Sequence, residues 1–202
     1  MKRNRPLNEK KRESILKAAI QEFYTKGYEG SSMDTISSEA NVSKATVYNH
    51  FKNKQELFLA VANLLIVRFE ESFKYPYDKQ KSLTIQLKEL AKKEMDFLSN
   101  KENITLIQIV TVVMIQKNEI GKKILEIAKE DNIIMTQKWF EDAKNDKKLD
   151  FDDSFFIAKQ FIGMIKAFAF YPQLYGAPIL TKKEQIDIIN KSVDMIQKLY
   201  AL

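Results

Sequence analysis

Residues 32–51 run Ser-Met-Asp-Thr-Ile-Ser-Ser-Glu-Ala-Asn-Val-Ser-Lys-Ala-Thr-Val-Tyr-Asn-His-Phe, and their spacing decides the fold. Ser31 and Ser32 can each cap a short helix, because a serine hydroxyl accepts from a free N–H of the first turn. Asp34 in that turn suits the helix dipole. The helix ends around Ala40-Asn41-Val42, where Asn41 tolerates a left-handed turn. Ser43 then caps a second short helix, from Lys44 to about His50. Ile36, Ala40, Val42 and Val47 would pack the two helices together. The outline is a helix-turn-helix whose second helix exposes Lys44, Thr46, Tyr48 and Asn49. Such side chains hold phosphate oxygens and read base edges, and the helix N-terminus beside them attracts phosphate.

On the N-terminal side, residues 8–27 form an amphipathic helix in which Ile15, Ala19 and Phe23 recur every fourth position, flanked by Leu16 and Ile20. Gly27 supplies its stop, since glycine enters positive φ without steric cost. On the C-terminal side, Phe51-Lys52-Asn53-Lys54 is a break, and Gln55 opens a long helix to about Phe73. Tyr75-Pro76-Tyr77 ends it, because the residue before proline is disfavoured in a helix. The expected organisation is a three-helix head over residues 1–55, a connector helix over 55–75 and a body over 76–202.

The body reads as helices throughout, making the chain all-α. Leu83, Leu87, Leu90 and Glu94 trace one helix over about 79–99. Ile104 to Ile115 is ambiguous: Ile-Val-Thr-Val-Val favours a strand locally, while its length and its apolar residues on every face favour a buried helix. A helix follows over roughly 119–144, with room for a kink at Glu130-Asp131-Asn132. Asn145 to Lys148 is a polar loop. Phe155 to Tyr171 and Thr181 to Leu202 form the last two helices. Ile157, Phe161, Met164 and Phe168 make one apolar seam, and Ala158, Ile162, Ile165 and Ala169 a second beside it. The final helix adds Ile186, Ile189, Val193, Ile196 and Tyr200. Either both seams serve one core, or one serves the core and the other pairs two subunits.

Composition narrows the function. The chain has 202 residues, 45% of them hydrophobic and 30% charged, which allows a sizeable core and a soluble surface. No apolar run approaches the roughly 18–20 residues of a membrane span. The basic start is not followed by the apolar stretch of a secretory signal. Cysteine is absent, which removes disulfides and thiolate metal sites and fits a reducing cytoplasm. Residues 1–55 carry eleven Lys/Arg against six Asp/Glu, whereas the remaining 147 carry 22 against 21. A basic head on a nearly neutral body is the footprint of a small domain that meets a polyanion.

Gly27-Tyr28, Ser31 to Ile36, Ala40 to Lys54 and Glu56-Leu57 together resemble the signature of TetR/AcrR-family transcriptional regulators, over about residues 10–60. Asn41 and Ala45 stand where the family usually has glycine, and Gln55 where it often has glutamate. Phe168 to Pro178 is more loosely similar to the C-terminal domain of one subgroup. The resemblance implies a homodimer with a C-terminal domain that binds a ligand and dimerises. Carried over position by position, it makes Ser32, Lys44, Thr46, Tyr48, Asn49, His50 and Lys54 DNA contacts. Tyr48, His50 and Lys54 would meet phosphates; Lys44, Ala45 and Asn49 would meet base edges. Arg3 and Arg5 are either a minor-groove arm or a basic tail. The implied function is a ligand-responsive regulator, with repression the family's usual mode, that binds a pseudo-palindromic operator as a homodimer and is released by a small-molecule inducer.

Other readings stand beside this one. His50, the only histidine, has no nucleophile or carboxylate spaced around it for acid–base work, and no second metal ligand. An enzyme would need a catalytic constellation within 76–202, and none is visible; nor is a cofactor motif. An architectural helix-turn-helix protein without a ligand is the alternative regulator. Met114, Met135, Trp139, Phe161, Met164, Phe168 and Tyr171 are candidates to line a ligand cavity, and core packing is the competing role for each. The ligand is expected to be apolar or weakly polar, because no cluster of like charges stands at core-facing positions. For the subunit interface the candidates are Ala158, Ile162, Ile165, Ile189, Val193 and Ile196.

Overall fold

The computed structural model describes residues 5–72, 74–116, 119–127 and 131–202. These form α1 (Arg5–Gly30), α2 (Met33–Glu39), α3 (Lys44–His50), α4 (Lys54–Ser72), α5 (Leu83–Leu98), α6 (Lys101–Ile115), α7 (Glu119–Ile127), α8 (Asp131–Asn145), α9 (Ser154–Ala169), α10 (Tyr171–Leu174) and α11 (Lys182–Tyr200). Extended pairing among the described residues is limited to the isolated bridge between Leu149 and Ala201. The chain divides into two compact units, Met1–Ile66 with Thr105–Ala128, and Val67–Ile104 with Lys129–Leu202. Two of the three divisions fall inside α4 and α6, and the third between α7 and α8.

In the first unit the expected punctuation is present. Gly27 has φ of +69° and breaks the regular path of α1, a conformation in which a Cβ would be strained. Ser32 caps α2 by accepting from the Asp34 N–H at 3.2 Å. Ser31 instead turns inward and donates to the Tyr28 carbonyl at 2.6 Å. Asn41 makes the left-handed turn at φ +53°, and Ser43 caps α3 by accepting from the Thr46 N–H at 3.2 Å. Ile15, Ala19 and Phe23 of α1, Ile36 of α2, Val47 of α3, and Leu57, Phe58 and Val61 of α4 meet in one apolar cluster. The Phe58 ring meets Phe23 and Tyr28 edge-on, at centroid distances of 5.0 and 5.1 Å. Leu106, Ile109, Val110 and Val113 of α6 and Ile120 and Ile124 of α7 complete the same cluster.

The ambiguous stretch is therefore a helix, α6. Burial of its apolar side chains outweighs the local strand preference of the β-branched residues. It is not buried all round, since Val112 and Ile115 remain exposed.

In the second unit α9 packs against α5, α8 and α11. Three neighbours need more of its circumference than one seam, so Ile157, Phe161, Ala158, Ile162, Ile165 and Ala169 all enter the core. On α11, Ile189, Val193 and Ile196 face the same core. The six residues expected at a subunit interface, Ala158, Ile162, Ile165, Ile189, Val193 and Ile196, thus lie inside the unit, none more than 9% exposed. They have almost no area left to offer a second surface. Among the apolar positions left open are Phe156, with Gly163, Ala167 and Tyr171 continuing its face, Phe155 and Phe168 elsewhere on α9, and Ile186, Met195 and Leu199 on α11.

Local hydrogen bonds explain the element ends. α5 begins at Leu83 rather than 79, because the Gln86 amide donates to the Asp78 and Lys81 carbonyls at 2.8 and 3.1 Å and holds that stretch in a turn. Thr181 and Glu184 close a reciprocal cap on α11. The expected kink at Glu130-Asp131-Asn132 falls partly outside the described residues. One charge sits on an apolar seam: Glu94 of α5 is 2% exposed, with the Lys166 ammonium 3.7 Å away. Burial pushes its carboxyl above the usual range, and Lys166 opposes that.

The first unit's core sets a stability expectation. Phe58→Ala empties the site between two rings and should cost about 3–5 kcal/mol in urea unfolding. Val112→Ala, on an exposed position, should change the unfolding free energy by no more than about 0.5 kcal/mol.

Candidate nucleic-acid interface

Seven residues make α3, too few to be stable alone. Its orientation comes from Val47 and Phe51, both buried in the core of the first unit. With that face fixed, Lys44, Ala45, Tyr48 and Asn49 are exposed, and Thr46 and His50 half-buried. The Thr46 hydroxyl is already committed to Ser43, with the two oxygens 2.9 Å apart.

Several of the charges have partners within the unit. Lys44 donates to the Asp34 carboxylate at 2.6 Å, tying the start of α3 to the start of α2. Lys54 donates to the Glu29 and Ser31 carbonyls, each at 3.1 Å, and its ammonium lies 4.7 Å from the Tyr28 ring centre. Those two bonds leave one of the three ammonium N–H groups for an anion beside Ser32. The Ser32 backbone N–H donates to buried Glu22 at 3.2 Å, which fixes the entry to α2.

Sequence reasoning missed Lys11, Arg12 and Asp34 as individual participants. The run Lys10-Lys11-Arg12 entered only as part of the head's charge. In the structure Arg12 lies over the Phe51 ring, 5.2 Å from its centre. His50 is held below its ordinary pKa first by burial, then by the charges of Arg12 and Lys11. Burial and the two neighbouring cations all favour the neutral form of the imidazole. Arg3 and the Arg5 side chain lie outside the described residues.

The expected ligand-lining residues have different surroundings. Met114 packs on the core of the first unit. Phe161 is buried 5.7 Å from Phe140, ring centre to ring centre. Met164 is half-buried, whereas Phe168 and Tyr171 are 57% and 52% exposed. Met135 and Trp139 do come together, in a groove of about 270 Å³ that they share with Lys74, Tyr75, Pro76, Tyr77, Lys138 and Asp142. No helix among the described residues is long and apolar enough to cross a membrane.

Two capped short helices on one core, with a polar face on the second and cations around it, define a helix-turn-helix protein. Residues 15–61 match the family model described as bacterial regulatory proteins, tetR family, and residues 85–202 match that of the AefR-like transcriptional repressor C-terminal domain. A TetR-family transcriptional regulator from Pseudomonas syringae pv. tomato is 33% identical, with a TM-score of 0.80 over 95% of this chain and 97% of that one. The chain belongs to the TetR family of DNA-binding transcriptional regulators.

Several curated relatives match over less than a third of the chain, whereas the fatty acid metabolism regulator protein of Bacillus subtilis is 26% identical over 64% of this chain and 64% of its own length. The helix-turn-helix regulator YhgD of Bacillus subtilis is 40% identical over 28% of this chain. The biofilm-operon negative regulator IcaR of Staphylococcus epidermidis is 40% identical over 23%. The aligned segments span 30% and 25% of those relatives' lengths, respectively.

Two outcomes follow from these charges. Since the free protein depresses the pKa of His50 and a phosphate would restore it, binding takes up protons. DNA affinity should therefore rise as pH falls from 8 through the histidine range, by up to about tenfold per unit per subunit. Fluorescence anisotropy checks this, and His50→Gln should flatten the slope. Without DNA the sign reverses: the depressed pKa makes the fold lose stability as pH drops below the ordinary histidine value. Asp34→Asn frees the Lys44 ammonium, so binding to random-sequence DNA should tighten and its salt slope steepen by about 0.9 per subunit. The same titrations across salt concentrations read that slope.

Proposed function

We propose that this protein is a ligand-responsive repressor that binds a pseudo-palindromic operator as a homodimer and leaves it when a small molecule binds. The observation that carries the reading is the face of α3: Lys44, Ala45, Tyr48 and Asn49 are exposed on a helix whose opposite side is locked into the core. Lys44, Ala45 and Asn49 meet base edges, while Ser32, Thr46, Tyr48, His50 and Lys54 meet the backbone. Residues 1–55 read DNA, the connector over 55–75 carries the signal, and 76–202 sense and pair. Repression is supported by the C-terminal family match and by IcaR, both described by that mode. The site of action is the cytoplasm.

Pairing is assigned to the exposed strip of α9, α10 and α11, namely Phe156, Gly163, Ala167, Tyr171, Met195 and Leu199. The buried seam is occupied by the subunit's own core. The ligand is a mainly apolar or weakly polar small molecule that carries at most a single charged group, and the groove beside Trp139 favours a ligand over an architectural protein that senses nothing. Transmission is supported by the apolar cluster in which α6 and α7 share a core with α1–α4. A ligand that shifts α6 or α7 disturbs the packing that orients α3. It acts on DNA only through a difference in affinity between two states.

Met195→Glu should give a folded monomer by light scattering with weakened operator binding, while Ile165→Glu should unfold. A ligand found by screening should change operator affinity by roughly 5–150-fold. Operator should change ligand affinity by the same factor, read by calorimetry with and without DNA. A folded Met195→Glu dimer, or a ligand bound equally well in both cases, contradicts the respective part of the proposal.

A further inference from the structure

The groove between residues 74–77 and α8 offers an unusual set of groups. Tyr75, Tyr77 and Trp139 contribute flat aromatic rings, Pro76 a compact apolar ring, and Met135 an adaptable thioether. Both tyrosines are pinned by their hydroxyls: Tyr75 donates to Glu89, and Tyr77 to Asp146 at 2.8 Å. Tyr77 also meets Trp139 edge-on, with centroids 5.3 Å apart. The two tyrosine rings are thus set before anything binds, which lowers the entropy lost on binding. Because the phenol protons are directed to carboxylates, the tyrosines contribute faces rather than donors.

Polar recognition has to come from the remaining groups. The indole Nε1 of Trp139, a residue 2% exposed, has no hydrogen-bond partner. Lys138 is shared with Asp142, 3.5 Å away. Lys74 is exposed, with no ion pair among the described residues. Of the charged groups that line the groove, Lys138 is paired with Asp142, while Glu89 and Asp146 beside it accept from the tyrosine hydroxyls, which leaves the Lys74 ammonium and the Trp139 indole as donors for an occupant. Its volume of about 270 Å³ lies just under the roughly 300–1,000 Å³ of pockets for drug-sized molecules, so the occupant has one or two rings.

We propose that this groove binds a small planar aromatic carboxylate, its ring system against Tyr75, Tyr77 and Pro76 and its carboxylate toward Lys74 and the Trp139 indole. The indole reaches the carboxylate after a small shift of its ring, because Nε1 is covered in the free groove. The binding site stands on its own geometry; only its effect on DNA rests on the repressor reading. Residues 74–77 lie within a few residues of the end of α4, so an occupant restrains the chain just beyond that helix.

Trp139 is the single tryptophan of the chain, so the protein has one indole N–H resonance to follow by NMR. Titration of the full chain with 2-naphthoate should shift that resonance saturably. The neutral 2-naphthamide should bind more weakly, and the cationic 2-naphthylmethylamine weaker still. Lys74→Ala should lower naphthoate affinity about two- to fivefold, the range of a solvent-exposed charge contact. Tyr77→Leu should abolish the indole shift, and Tyr77→Phe, which keeps the ring, should retain it. An unmoved indole resonance overturns the proposal, as does equal binding of the amine or unchanged binding to Tyr77→Leu. Operator affinity measured with and without naphthoate separates the two readings. A shifted indole with unchanged operator affinity upholds the groove and counts against its being the switch. Operator release without an indole shift upholds the switch and removes the groove.

Discussion

Phe58 stands edge-on to both Phe23 and Tyr28, and what α3 can do on DNA depends on the cluster it anchors. A seven-residue helix does not hold itself together; its direction is inherited from Val47 and Phe51 and from the α1 and α4 side chains they touch. α6 and α7 contribute to the same cluster, although both follow the connector in sequence. The packing that orients the reading face is therefore shared with helices from the chain's middle. Close-packed interiors transmit small displacements rather than absorbing them, so a change in α6 or α7 acts on the cluster that holds α3.

The head's excess positive charge is only partly available to DNA. Lys54 caps the carbonyls at the end of α1, and Lys44 is paired with Asp34. The two commitments differ in strength. Lys44–Asp34 is an exposed pair, of a kind worth about 0–1 kcal/mol, and a base or phosphate oxygen can displace it. Lys54 has two carbonyl acceptors and an aromatic face, so it is held more firmly than Lys44. Lys11, Arg12 and His50 form a further basic group between α1 and the end of α3. Its charges, together with burial, hold the imidazole below its ordinary pKa.

The head was legible because its signals are local. Ser32, Gly27, Asn41 and Ser43 each act within a few residues, and the structure uses all four as turn or cap. Ser31 competes for the same cap in sequence, and its inward hydrogen bond to Tyr28 is visible only in three dimensions. The body was legible in its helices and not in its faces. Two seams on α9 invite an assignment of one to the core and one to a partner, yet the neighbouring helices take up the whole of the second seam and, of the first, Ile157 and Phe161, leaving Phe168 exposed. The α6 stretch was ambiguous because β-branched residues suit a strand and a crowded core alike. The groove beside Trp139 joins residues 74–77 to α8 across some sixty positions, and no local pattern announces it. The Lys44–Asp34 pair could have been found from sequence, since both residues stand at the starts of adjacent capped helices.

The central claim is that α3 reads a specific DNA sequence from two symmetry-related subunits. Selection of bound duplexes from a random pool by the full-length protein, followed by sequencing, tests this most directly. The expected result is enrichment of a single pseudo-palindrome whose two half-sites are related by a dyad, with Asn49→Ala relaxing preference at the same position of each half. Enrichment of unrelated asymmetric sites, or no enrichment over the starting pool, would contradict it.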